Sequence, residues 1–252
     1  MEVLNFQKEA GEASRLRLVE DSISPNDFPA IGKQFVNYVF FRVNPEWRKL
    51  SSSEKKAYKD EFQQVFDNFR QDLLLFSYSL VGFDSKADLM FWRIGDALDT
   101  LQDMTTKLYR TNLGSYLETA DNYLSVTKKK AFVTESAEDQ YHVNAGEKKY
   151  HFIYPCSGCG EFSTRSDSDN ESLIEENFMV GKRFPNIKIH MTRAFGFSDR
   201  EFIISFETDE PKDFLALSEE LRETPVGKFR LRGMPIYTCR QRPLMDCLDA
   251  LG

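Results

Sequence analysis

Two stretches of this chain carry the same order of strand-like and helix-like segments, and that repetition restricts the fold more than any single motif. In the first stretch, KQFVNYVFFRV (33–43) is rich in aromatic and β-branched residues, a strand pattern that Pro45 stops. Ser51 followed three residues later by Glu54 is a capping-box pair. Beyond it Tyr58, Phe62, Val65, Phe66 and Phe69 recur at helical spacing, which predicts a helix over 51–71. LLLFSYSLVGF (73–83) and ADLMFWRI (87–94) read as paired strands across a turn at Gly82–Lys86. Residues 96–109 read as a helix with Leu98, Leu101, Met104 and Leu108 on one stripe, and 116–130 closes the stretch with a short strand-like end.

The order then repeats. KKYHFIYP (148–155) is a strand, 170–181 a helix, and 186–195 with 200–208 paired strands across Gly196–Asp199. A helix over 211–223 opens with Pro at its first position, 227–238 is a last strand, and PLMDCLDALG a terminal helix. Residues 1–30 read as an arm, and the polar 131–148 as a linker. The expected domains are therefore an arm (1–30), a repeat (31–130), a linker (131–148), a second repeat (149–240) and a terminal helix (241–252). The fold class is α+β: two ferredoxin-like β-α-β-β-α-β repeats whose sheets join as in a dimeric α+β barrel. The inner faces would enclose a lumen, the expected seat of function.

Composition narrows the class. With 41% hydrophobic and 29% charged residues, the 252-residue chain has the balance of a globular protein, and 22 Phe supply ample core. The net charge of −7 argues against nucleic acid as a partner. No apolar run approaches a membrane span of about 20 residues. The acidic MEVLNFQKEAGEASRL start does not read as an export signal, so a cytoplasmic location and reduced thiols are expected. Of four cysteines, Cys156 and Cys159 form a C-x-x-C that could chelate a metal or ligate iron as thiolate.

The stretch AFGFSDREFIISFETDEPKDFLALSEELRETPVGKF (194–229) resembles the turn, Phe-rich strand and following helix of the chlorite dismutase family, which includes the coproheme decarboxylases. HFIYP (151–155) resembles the family's strand ending in Tyr-Pro, and KLYRTNLGSYLETADNYLSV (107–126) the segment that closes its first half. The resemblance spans about 33–240 and implies haem or coproheme in the second half, and a homo-oligomer, most often a pentamer. By position it puts Asn177 where the family holds its iron-binding His. Thirteen positions later it puts His190 where chlorite-degrading members have Arg. Asn is a poor haem ligand, and a propionate-anchoring Lys after Tyr-Pro is replaced by CSGCG.

In NIKIHMTRAF, alternation sets Ile187, Ile189 and Met191 on one face, and Lys188, His190, Thr192 and Ala194 on the other, toward the lumen. The roles open to His190 are a hydrogen-bonded core residue, an axial ligand or a general acid/base. Tyr154 maps onto the tyrosine that takes part in oxidative decarboxylation, and Lys128 could meet a porphyrin propionate. His151 alternates away from Tyr150, Phe152 and Tyr154. The expected function is a haem- or porphyrin-binding protein with peroxidase-type oxidoreductase chemistry on a peroxide, not chlorite degradation. The alternative is a non-haem family member that serves as a small-ligand or C-x-x-C metal scaffold.

Overall fold

The computed structural model describes residues 34–127, 132–133, 143–157, 180–181, 183–194, 200–223 and 236–252. The first half supplies β1 (Phe35–Val43), α1 (Ser52–Asp67), β2 (Leu74–Ser79), β3 (Leu89–Gly95), α2 (Leu98–Tyr109) and β4 (Leu117–Val126). Two short strands, β5 (Phe132–Val133) and β6 (Val143–Asn144), pair apart from the rest. The second half supplies β7 (Tyr150–Ser157), β8 (Lys188–Ala194), β9 (Arg200–Thr208), α3 (Pro211–Glu223), β10 (Tyr237–Gln241) and α4 (Leu244–Asp249).

Eight strands close into an antiparallel barrel in the order β1-β3-β2-β10-β7-β9-β8-β4. Each half contributes four neighbours in equivalent order, β4-β1-β3-β2 and β10-β7-β9-β8. The halves are joined where β2 meets β10, with Ser79 opposite Arg240, and where β4 meets β8, with Ser125 opposite Ala194. Closure leaves neither half with a free edge.

Strands of such a barrel can bury both faces, which suits the near-continuous apolar runs of β1 and β3. On β1, Val36, Tyr38 and Phe40 point into the lumen, while Val39, Phe41 and Val43 point outward. The outward set packs under helices. Phe91 of β3 meets Phe41, Phe62 and Phe66 at ring-centroid distances of 5.5, 6.1 and 5.0 Å. The stripe Leu101, Met104 and Leu108 of α2 and Leu244 and Leu248 of α4 complete that layer. The Ser51–Glu54 capping box forms as its spacing predicts, so α1 starts at Ser52.

One polar group lies in this outer layer. The Arg93 guanidinium is buried beneath α2, and its bonds go to neutral acceptors: Asn37 Oδ1 at 2.5 and 3.0 Å, Thr105 Oγ1 at 2.7 Å and the Leu101 carbonyl at 3.3 Å. Burial lowers its pKa to about 10, which still leaves it charged. Dense bonding to the cation offsets its desolvation.

Three expectations need correction. The end of the first half is a full ten-residue strand, β4, despite its polar ETADN run, because β1 supplies a partner along its whole length. The last strand runs on to Gln241, past the 238 expected, because Tyr237 and Cys239 fill the lumen where the two halves meet; 227–235 lie outside the described residues. The segment read as a linker ends inside the fold: Ala145 is buried among the lumen side chains. The helix expected over 170–181 lies outside the described residues except for its last two positions.

Phe91 touches three aromatic rings and is fully buried, so Phe91→Ala is expected to lower unfolding free energy by about 3–5 kcal/mol in urea titration.

Candidate functional site

The two faces of the second half are different environments. On β7, His151 and Ile153 point into the lumen, whereas Phe152 and Tyr154 point outward toward α3. On β9, Ile203, Ser205 and Glu207 are lumenal, and Ile204 and Phe206 outward. On β8, Ile187 and Ile189 join the outer cluster, and His190 and Thr192 face inward, as the alternation predicts.

The lumen is filled. Tyr38 stacks on Trp92 at 5.6 Å, and His151 lies 4.7 Å from Trp92, 5.4 Å from Tyr78 and 5.9 Å from Tyr38, centroid to centroid. Eight strands give an interior just wide enough for side chains. A flat macrocycle does not fit there. An axial role for His190 would need the iron inside the barrel, where its ring stands beside Trp92 and Glu207. His190 and Tyr154 lie on opposite faces of one sheet and cannot flank the same group.

What the lumen holds is a buried polar cluster that the sequence reading largely passed over. Glu207 is fully buried, with Oε1 accepting the Gly146 N–H at 2.9 Å and Oε2 3.7 Å from His190 Nε2. His151 sits opposite Glu207 on one side and Cys239 on the other, and neither ring nitrogen makes a hydrogen bond. Tyr38 Oη shares a hydrogen bond with Ser205 Oγ at 3.1 Å, and Ser125 Oγ with Thr192 Oγ1 at 2.7 Å. Burial pushes the His151 pKa down to about 3, so the ring is neutral. Burial alone would raise the Glu207 carboxyl, but His190, His151 and the Gly146 amide hold it below its usual range, so it is ionised. The period-2 alternation of YHFIY and FIISFET carried the signal that His151 and Glu207 share an inward face.

The outer face differs between halves. Over the first half, three helices cover twenty buried apolar side chains, among them Phe62, Phe66 and Phe91, with seven half-buried around them. Among the described residues of the second, seven buried apolar side chains form the cluster, Phe214 and Leu217 of α3 among them, with six half-buried around it, including Phe184, Ile189, Ile204 and Ile236. Phe152 and Phe214 stack at 3.7 Å, and Tyr154 lies edge-on to Phe206 at 5.6 Å. The result is an aromatic and aliphatic layer that includes the phenols of Tyr150 and Tyr154.

Asn177, Lys128 and Cys159 lie outside the described residues. Cys156 pairs with Phe202 in the β7–β9 ladder. Among the described residues no group of three His, Cys, Asp or Glu is placed to hold a metal ion, and no helix is long and apolar enough to cross a membrane.

A closed antiparallel barrel wrapped in helices defines a mixed α+β barrel protein. The family described as Chlorite dismutase matches residues 55–242, and the chain belongs to it. It is 22% identical over 229 residues to the chlorite dismutase of Ideonella dechloratans, covering 86% of this chain and 80% of that one. It is 23% identical over 167 residues to the coproheme decarboxylase of Mycolicibacterium smegmatis, covering 64% and 70%. The solved structure of chlorite dismutase from Candidatus Nitrospira defluvii in complex with imidazole has TM-score 0.76 and 22% identity, covering 86% of this chain and 94% of that one.

The His151 environment has a consequence for stability. The unfolded chain takes up a proton at this ring near its ordinary value of 6.5, whereas the folded chain resists until about 3. Stability is therefore fully present above that ordinary value. It falls as pH drops through the window between the two, by up to about 1.4 kcal/mol per pH unit. Glu207, with its lowered pKa, adds a loss in the same direction at the acidic end. His151→Phe is expected to shift the midpoint of acid unfolding, followed by near-UV circular dichroism, to lower pH.

Proposed function

We propose that this protein binds a haem or coproheme on the outer face of its second half and uses it for peroxidase-type oxidoreductase chemistry. The carrying observation is the half-buried apolar surface of Phe184, Ile189, Ile204 and Ile236 around the cluster that holds Tyr154. The two halves would be ferredoxin-like repeats, the second adapted to the ligand and the first closed by its own helices.

When bound, the iron supplies the centre at which a peroxide is reduced. The chain's own part is narrower. Ile189 and Ile204 would pack against the macrocycle and exclude water from it, and Tyr154 would donate an electron and its phenolic proton together. Phe206 and Phe214 hold the Tyr154 ring in place. Asn177 and Lys128, by their positions in the resemblance, would border the iron and a propionate. A homo-oligomer, pentameric by resemblance, would cover exposed apolar residues such as Val81, Phe83 and Leu215.

The second reading, a family member holding no haem and using the scaffold for a small ligand or a C-x-x-C metal, is favoured by Asn177 at the iron position. Haemin titration separates the two. The first reading expects a sharpened, shifted Soret band saturating at one equivalent per subunit, abolished in Ile204→Lys. Tyr154→Phe should keep the band and lower peroxidase turnover by about tenfold. A spectrum identical to free haemin, with zinc or iron found by elemental analysis and lost in Cys156→Ser, would establish the second reading instead.

A further inference from the structure

One end of the barrel is closed by the segment that follows β6. Ala145 lies among the lumen side chains. Gly146 has φ of +70°, and a Cβ there would stand 2.2 Å from the Phe76 ring, so the backbone presses directly on an aromatic side chain. The Gly146 N–H donates to the Glu207 carboxylate at 2.9 Å. Three further contacts lie at the rim: Glu147 with Lys188, Lys148 Nζ with Asp209 Oδ2 at 2.8 Å, and the Lys149 N–H with Asp209 Oδ1 at 3.1 Å. The rim contacts are water-accessible and individually weak. The buried, charge-assisted bond from Gly146 is the stronger hold.

Every element around Glu207 bears on that bond. His190 faces it from β8, with Lys188 at the rim of the same strand. His151 faces it from β7, Tyr38 from β1, Tyr78 from β2 and Cys239 from β10. Both phenols and the thiol are kept neutral by burial. On acidification the Glu207 carboxylate and the His151 ring are therefore the groups whose proton uptake bears on this bond. A protonated Glu207 is a weaker acceptor for Gly146. A charged His151 makes no hydrogen bond in the packed lumen, and water can reach it most directly by displacing the segment over Glu207.

We propose that residues 145–149 are an acid-released strap: protonation of Glu207, with His151 beside it, frees Gly146 and opens this end of the barrel to water and small polar solutes, while the strands stay paired. The strap closes the lumen and the tetrapyrrole surface lies outside it, so the proposal stands or falls independently of haem binding.

Hydrogen exchange of the full chain, corrected for the intrinsic pH dependence of exchange, tests it between about pH 7 and the onset of global unfolding, marked by near-UV circular dichroism. Peptides covering 143–149 should gain about tenfold in exchange while those of β1 and β3 do not change. Glu207→Gln keeps an oxygen for Gly146 and removes the titration, so its strap should stay protected at acid pH. Gly146→Ala should release the strap already at neutral pH. The proposal is overturned if the wild-type strap stays protected until the whole molecule unfolds, or if Glu207→Gln opens over the same pH range. Should Glu207→Gln fail to fold, the wild-type profile alone decides.

Discussion

Closing eight strands into a ring gives each strand an inner and an outer face, and most features of this protein follow from that geometry. The inner faces converge on a space that side chains must fill, so Tyr38, Tyr78 and Trp92 occupy the axis of the barrel. The outer faces need a second apolar layer, which the helices supply. Among the described residues, six apolar side chains on the outer face of the second half stay half-buried.

The same closure makes polar residues in the lumen costly. Arg93, outside the ring, makes four hydrogen bonds to three neutral acceptors on β1 and α2. Glu207, inside, has one backbone amide and an imidazole 3.7 Å away. Its cluster is the least satisfied part of the interior, as the hydrogen-bond-free nitrogens of His151 show. Ordinary core packing does not call for such groups, and their position under the segment at Gly146 ties the chemistry of the lumen to its one described covering.

Local signals were read well where one element decides its own form. Ser51 and Glu54 mark the start of α1 because a capping box is complete within four residues. Pro211 opens α3 and REFIISFET is a strand because propensity and periodicity there agree with the final packing. ETADN hid the middle of β4, since its pairing with β1 comes from residues about 85 positions earlier. YTCRQ likewise looks unremarkable until β2 and β7 stand on either side of it. Both lapses are long-range pairings, which no window along the chain can contain.

Taken alone, the amino-acid order determined the repeated succession of strands and helices, the caps and turns that punctuate it, the family, and the inward parity of His190 on its own strand. The tertiary structure decided that the lumen is full, that Tyr154 and His190 stand back to back, and that Gly146 reaches Glu207. Parity along one strand is a local property, set by its two-residue repeat. Which faces of separate strands look at the same space depends on register and closure between segments far apart in the chain, and only the folded barrel supplies those.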